Sequence, residues 1–140
     1  MSALVLATVM PAIAHALVTA GVVERAYYRP QEGIRPVCAV VEYPEDEIDF
    51  DVTFGNGASS AAFPVSVVLG LQQDEATFLA VSAFMNGPVG LVKAAIEGDP
   101  TLDALGAIRV SGARIEAWDL GSEGRPLVHT AVRFSVEVTA

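Results

Sequence analysis

The sequence predicts an α+β domain: an antiparallel sheet of about five strands with helices packed on one face, in the order α-β-β-β-α-α-β-β. Three observations carry this. Apolar residues recur at helical spacing near the start and again over 74–97. Apolar and polar residues alternate over 48–54, 63–71 and 127–138. The length of 140 residues suits a single domain with a real core, here taken as 1–140.

The opening stretch "MSALVLATVMPAIAHALVTAGVV" holds 23 residues without formal charge. A bilayer span needs about 20 apolar residues, but Pro11, His15, Ser2, Thr8 and Thr19 interrupt this one. A secretion signal starts with positive charge, and no Lys or Arg precedes Arg25. The packed-helix reading fits better. Leu6, Val9, Met10, Ile13, Leu17 and Ala20 form one stripe, Ser2 suits the start, and Gly21 suits a left-handed stop. Pro11 is expected to kink or interrupt that helix.

"VVERAYYRPQEGIRP" (22–36) reads as a connector, and "VCAVVEY" (37–43) as a short β-branched strand. "IDFDVTF" (48–54) places Ile48, Phe50, Val52 and Phe54 on one face and Asp49, Asp51 and Thr53 on the other. "GNGASSAA" (55–62) reads as a loop, after which Phe63, Val65, Val67, Leu69 and Leu71 point inward, completing a long hairpin. Helices are predicted over 74–85, with acids in the first turn, and over 89–97, with Pro88 at the start and Gly98 as the stop. Asp99-Pro100 opens a short turn through Leu105. In "AIRVSGARIEAW" the apolar phase slips at Gly112, which predicts a bulge. After a turn at 119–126, the last strand sets Val128, Val132, Phe134, Val136 and Val138 opposite His129, Arg133 and Glu137.

Charge narrows the function. Eight basic against 17 acidic residues give a formal charge of −9, a surface that repels phosphates and acidic membranes. The single cysteine, Cys38, excludes an intrachain disulfide and reads as a small core hydrophobe. No phosphate-binding glycine loop, nucleophile elbow, zinc-binding helix motif or dinucleotide fingerprint occurs, so no catalytic, cofactor or metal residues are assigned. His15 reads as a partly buried helix residue and His129 as solvated. The densest local feature is "EYPEDEIDFD", with Glu42, Glu45, Asp46, Glu47, Asp49 and Asp51. It lacks the spacing of an EF-hand loop and reads as a solvated acidic face.

The order of elements resembles the tail terminator, or tail-completion, proteins of long-tailed bacteriophages. "FDVTFGNGASSAAFPVSVVLGL", "DEATFLAVSAFMNGPVGLVKAAI" and "RIEAWDLGSEGRPLVHTAVRFSVEV" carry the resemblance. It implies a non-enzymatic virion protein of the tail and neck, assembled in the host cytoplasm. Such proteins form a closed ring, usually hexameric, on the tail-tube protein. They end tube polymerisation and present the surface that meets the head–tail connector or stopper. Genome DNA passes through the ring without specific binding, and no membrane is involved. On this reading the acids at 42–51 are candidates for a negative channel lining. Tyr27, Tyr28, Arg29 and Trp118 are candidates for an interface, and strands 37–43 or 127–138 are candidate edges for extending the sheet. Alternative readings are a head-closure or tube subunit, or a secreted ligand-binding domain whose first 14–16 residues are removed at "AIA" or "AHA".

Overall fold

The computed structural model describes residues 5–28, 37–45, 48, 59–119, 121, 124 and 126–140. The first helix, α1 (Leu6–Thr19), buries Val9, Met10, Ile13, Ala14, Ala16 and Leu17. Most of the expected stripe is therefore inside. Ala20 is exposed and Leu6 only partly covered. Gly21 stops the helix at a φ of 76°, as its position suggested. Pro11 does not interrupt it. The hydrogen bond it forfeits is the one to the carbonyl of Ala7, an exposed residue, where water can substitute. The expected Ser2 cap lies outside the described residues.

Five strands form one sheet in the order β1-β2-β3-β5-β4. They are β1 (Ala26–Tyr27), β2 (Cys38–Val41), β3 (Ser60–Leu71), β4 (Ala107–Asp119) and β5 (Val128–Thr139). The sheet is mostly antiparallel, with β1 and β2 parallel. The connector thus supplies a short edge strand that the sequence pattern did not announce. Of the expected strand 48–54, only Ile48 is described, packed against the core. β3 starts at Ser60, three residues earlier than expected, so the end of the "loop" 55–62 is strand.

Two expectations about edges are corrected. β2 lies between β1 and β3, and β5 lies between β3 and β4, so neither 37–43 nor 127–138 offers a free edge. The long free edge belongs to β4. The reason is topological: β5, next in the chain after β4, pairs with it on one side and with β3 on the other.

One face of the sheet carries the main core. Ala39 and Val41 of β2, Phe63, Val65 and Val67 of β3, and Val132, Phe134, Val136 and Val138 of β5 meet the helices there. The helices are α1, α2 (Glu75–Met85), α3 (Pro88–Glu97) and α4 (Pro100–Leu105). The expected turn at 99–105 is this fourth helix, capped by the Asp99 carboxylate, which accepts from the Thr101 and Leu102 amides at 2.9 and 3.1 Å. Phe84 of α2 meets Phe134 edge to face, with ring centroids 6.3 Å apart. On the opposite face, a smaller cluster joins Cys38, Val40, Val68 and Ala131, flanked by Tyr27 and Trp118. Cys38 is fully buried there, and burial pushes its thiol pKa up.

Phe63 and Val37 offer a direct contrast in packing. Phe63→Ala empties a fully buried site and is expected to cost about 3–5 kcal/mol. Val37→Ser, at an exposed position, is expected to stay within about 0.5 kcal/mol. Urea unfolding of both variants checks this.

Candidate functional site: an open sheet edge and a bare helix

β4 and β5 pair along their whole length, and the register slips between Val110 and Gly112, where the phase change in the sequence placed a bulge. The bulge divides the outer edge of β4 into two unlike halves. On its N-terminal side, α3 occupies the edge at Val110. The Val110 amide donates to the Glu97 carboxylate at 2.9 Å, and Lys93 donates to the Val110 carbonyl at 3.2 Å. Lys93 and Glu97, one helical turn apart, also pair with each other. The Lys93 hydrogen bond, then that from Val110, holds the Glu97 carboxyl below its ordinary pKa.

Beyond the bulge, no described residue bonds the outer edge. Ala113, Arg114, Ile115 and Ala117 are exposed, Ile115 at 54%. The side chains of Ala113, Ile115 and Ala117 point to the helix-bearing face, in register with Phe134, Val132 and Thr130. α2 stands beside this strip and leaves it uncovered. α2 is seated by Thr77, which packs so closely on Gly70 that a β-carbon at Gly70 would lie 2.6 Å from the Thr77 hydroxyl. Only Thr77 and Phe84 of α2 are buried. Phe78 is 70% and Leu79 59% exposed, and Met85 is exposed beside them. A groove of about 630 Å³ runs between Phe78, Val81 and Met85 on one wall and Ile115 and Thr130 on the floor. Exposed apolar residues gathered in this way mark a candidate contact surface.

The opposite face near β4 is charged. Arg133 of β5 pairs with Glu45 at 2.5 Å and Glu116 at 3.6 Å, and Arg114 stands 3.7 Å from Glu116. A groove of about 420 Å³ lies here, lined among others by Glu45, Arg114, Arg133 and Ser135. Burial pushes the Glu42 carboxyl up, opposed by Arg133 and reinforced by Glu45 and Glu116. The hydrogen bond to Glu45 drives the Arg133 pKa upward. Arg114 and Arg133 each have a carboxylate neighbour, so the cluster ties β4, β5 and the Glu45 segment together.

The sequence-predicted site residues divide accordingly. Glu42 and Glu45 join the Arg133 cluster, so they do not form a freely solvated acidic face. Asp46, Glu47, Asp49, Asp51 and Arg29 lie outside the described residues. Tyr27 packs on the smaller cluster, and Tyr28 is exposed. Trp118 packs there too, its indole N–H donating to Glu116 at 3.0 Å. His129, expected in solvent, is only 5% exposed, with Nδ1 3.0 Å from the Leu127 carbonyl. It sits opposite Trp118 in the ladder, which shields it. His15, expected partly buried, is exposed. Sequence reasoning missed Arg133 and Glu116, although their alternation already set them on one face. It also missed the bareness of α2, for which the lack of a polar side was the available signal.

Among the described residues, no three His, Cys, Asp or Glu side chains converge as a metal site. No single described helix is long and apolar enough to cross a membrane; α2 and α3 together pass that test but are bent by 54°. No family model matches the chain, and no curated protein matches it.

Two substitutions probe the charges. The folded pKa of Glu42 already lies above its unfolded value, so its contribution to stability fades as pH rises past the ordinary glutamate value of about 4.3. Removing Arg133 raises that pKa further. Arg133→Met is therefore expected to cost about 1–2 kcal/mol at pH 7, discounted for the exposed Glu45, and less at pH 4, by urea unfolding. Glu97 behaves oppositely: its depressed pKa gives stability that is present above pH about 4.3 and lost as pH falls through the folded value. The Val110 amide should lose its hydrogen-exchange protection below that range, and at neutral pH in Glu97→Ala.

Proposed function

We propose that this chain is a structural assembly subunit, acting as a tail terminator of a long-tailed bacteriophage. The observation that carries the assembly reading is the apolar surface of α2, Phe78, Leu79 and Met85, lying beside the bare half of β4. A catalytic protein encloses its working groups in a pocket with a few converging polar residues. Here the larger groove exposes apolar surface of Phe78, Val81, Met85 and Ile115 between the polar Gln72, Ser82, Asn86 and Thr130, and opens onto the outer edge of β4, features that suit a protein–protein contact.

The finer assignment rests on the resemblance in element order and on charge. In the proposed role a ring of subunits sits on the last ring of tail-tube protein and stops its growth. Its other side offers the docking surface for the head–tail connector or stopper. Ring closure uses a heterologous contact, one patch of each subunit meeting a different patch of the next. The net charge of −9 suits a lumen through which DNA slides, since basic walls would retain phosphates. Asp46, Glu47, Asp49 and Asp51 are the proposed lining.

Electron microscopy of the purified protein mixed with tail-tube protein tests the role. The expected result is capped tubes of limited length; long cylinders formed by the chain alone would identify a tube subunit instead. In particles carrying amides at Asp46, Glu47, Asp49 and Asp51, DNA ejection is expected to slow. Unchanged ejection kinetics would remove the lining from the proposal.

A further inference from the structure

We propose that two free copies of this chain pair through the C-terminal half of β4, antiparallel about a two-fold axis at Ile115, with α2 packing on its counterpart above the joined strands. Backbone direction along β4 sets which groups are open to a partner. Val110 turns its amide and carbonyl outward, since both are taken by α3. Backbone direction alternates along a strand, and a bulge adds one residue. The outward groups past the bulge are therefore those of Ala113, Ile115 and Ala117. Their row begins past the groups of Val110 held by Lys93 and Glu97.

Charge selects the partner and the register. With Ile115 facing Ile115, Arg114 of each copy stands opposite Glu116 of the other, and Ala113 opposite Ala117. Moving the axis to Arg114 stacks that arginine on itself, and moving it to Glu116 stacks two carboxylates; both are unfavourable across a strand pair. Moving it to Ala113 sets Glu116 against Val110, where Lys93 and Glu97 already occupy the edge. Of the axes from Ala113 to Glu116, only that at Ile115 satisfies both signs of charge and clears the groups of Val110 held by α3. Arg114, with its side chain 68% exposed and 3.7 Å from Glu116 of its own strand, can exchange that long contact for the facing Glu116.

The apolar surface follows from the same axis. A two-fold normal to the sheet keeps both helix-bearing faces on one side. Phe78, Val81 and Met85 of the two copies then face each other over the paired Ile115 side chains, and the open groove closes. One contact covers the bare edge, its floor and the bare helix. This goes beyond the ring reading, because a two-fold contact cannot propagate around a ring. It describes the unassembled chain, and entry into a ring requires the pair to open.

Analytical ultracentrifugation of the full chain tests the pairing. The wild type is expected at twice the chain mass of 14.6 kDa. Arg114→Glu and Glu116→Arg alone each face like charges and are expected to weaken association at least tenfold. Mixed together they are complementary at both positions and should form a heterodimer. Ala113→Pro removes one outward donor without touching the β5 ladder and should also give monomers, which keeps the test valid if a charge variant fails to fold. Amide exchange at Ile115 and Ala117 should slow as concentration rises. A wild type that stays monomeric up to roughly 0.5 mM, a weak limit for specific pairing, would overturn the proposal. So would charge variants that associate as tightly as the wild type, or oligomers beyond the dimer. Dimers without capped tubes would leave the pairing standing and remove the terminator role; capped tubes without dimers would do the reverse.

Discussion

β5 is paired on both sides along nearly its whole length, with β3 and with β4, and one of its faces supplies Val132, Phe134, Val136 and Val138 to the core. A strand bonded on both sides cannot slip by one residue without turning its apolar row to the wrong face. That constraint fixes the register of its neighbours and the plane on which the helices settle. It also decides which backbone remains unpaired. With β5 in the middle, β4 is forced to an edge.

How the protein treats that edge is the most informative feature of its physics. A strand of 13 residues with one side unpaired invites uncontrolled pairing. The Lys93–Glu97 pair occupies the edge-facing groups of Val110, and the bulge at Gly112 follows immediately. Past the bulge no such protection is found among the described residues, and the exposed apolar residues of α2 gather at that same end. The hold at Val110 and the open row beyond the bulge are what the proposed pairing uses.

The charged face serves a different purpose. Arg133 lies across from Arg114 in the ladder, which alone would be unfavourable. Glu45 and Glu116 offset it, and Trp118 holds the Glu116 carboxylate by its indole N–H. The acids Glu42 and Glu45 are thereby drawn into the staple of the sheet. A channel-lining role, if the ring forms, falls to the acids that follow them.

The sequence by itself determined the strongly periodic elements that fall within the described residues. α1, α2, α3 and the alternation of β3 and β5 follow from the 3.6- and two-residue repeats, and the bulge at Gly112 from a slip of phase. Turn chemistry gave the left-handed stop at Gly21. What it left open is set by long-range pairing. The two-residue β1 is too short to carry a period, and the edge position of β4 depends on which strand β5 chooses for its second neighbour. The burial of His129 depends on Trp118 across the ladder, and the joining of Glu45 to Arg133 spans most of the chain. Local periodicity records which face of an element is apolar; only the assembled sheet decides whether anything lies against that face, which is why the bareness of α2 and of the Ile115 strip belongs to tertiary structure alone.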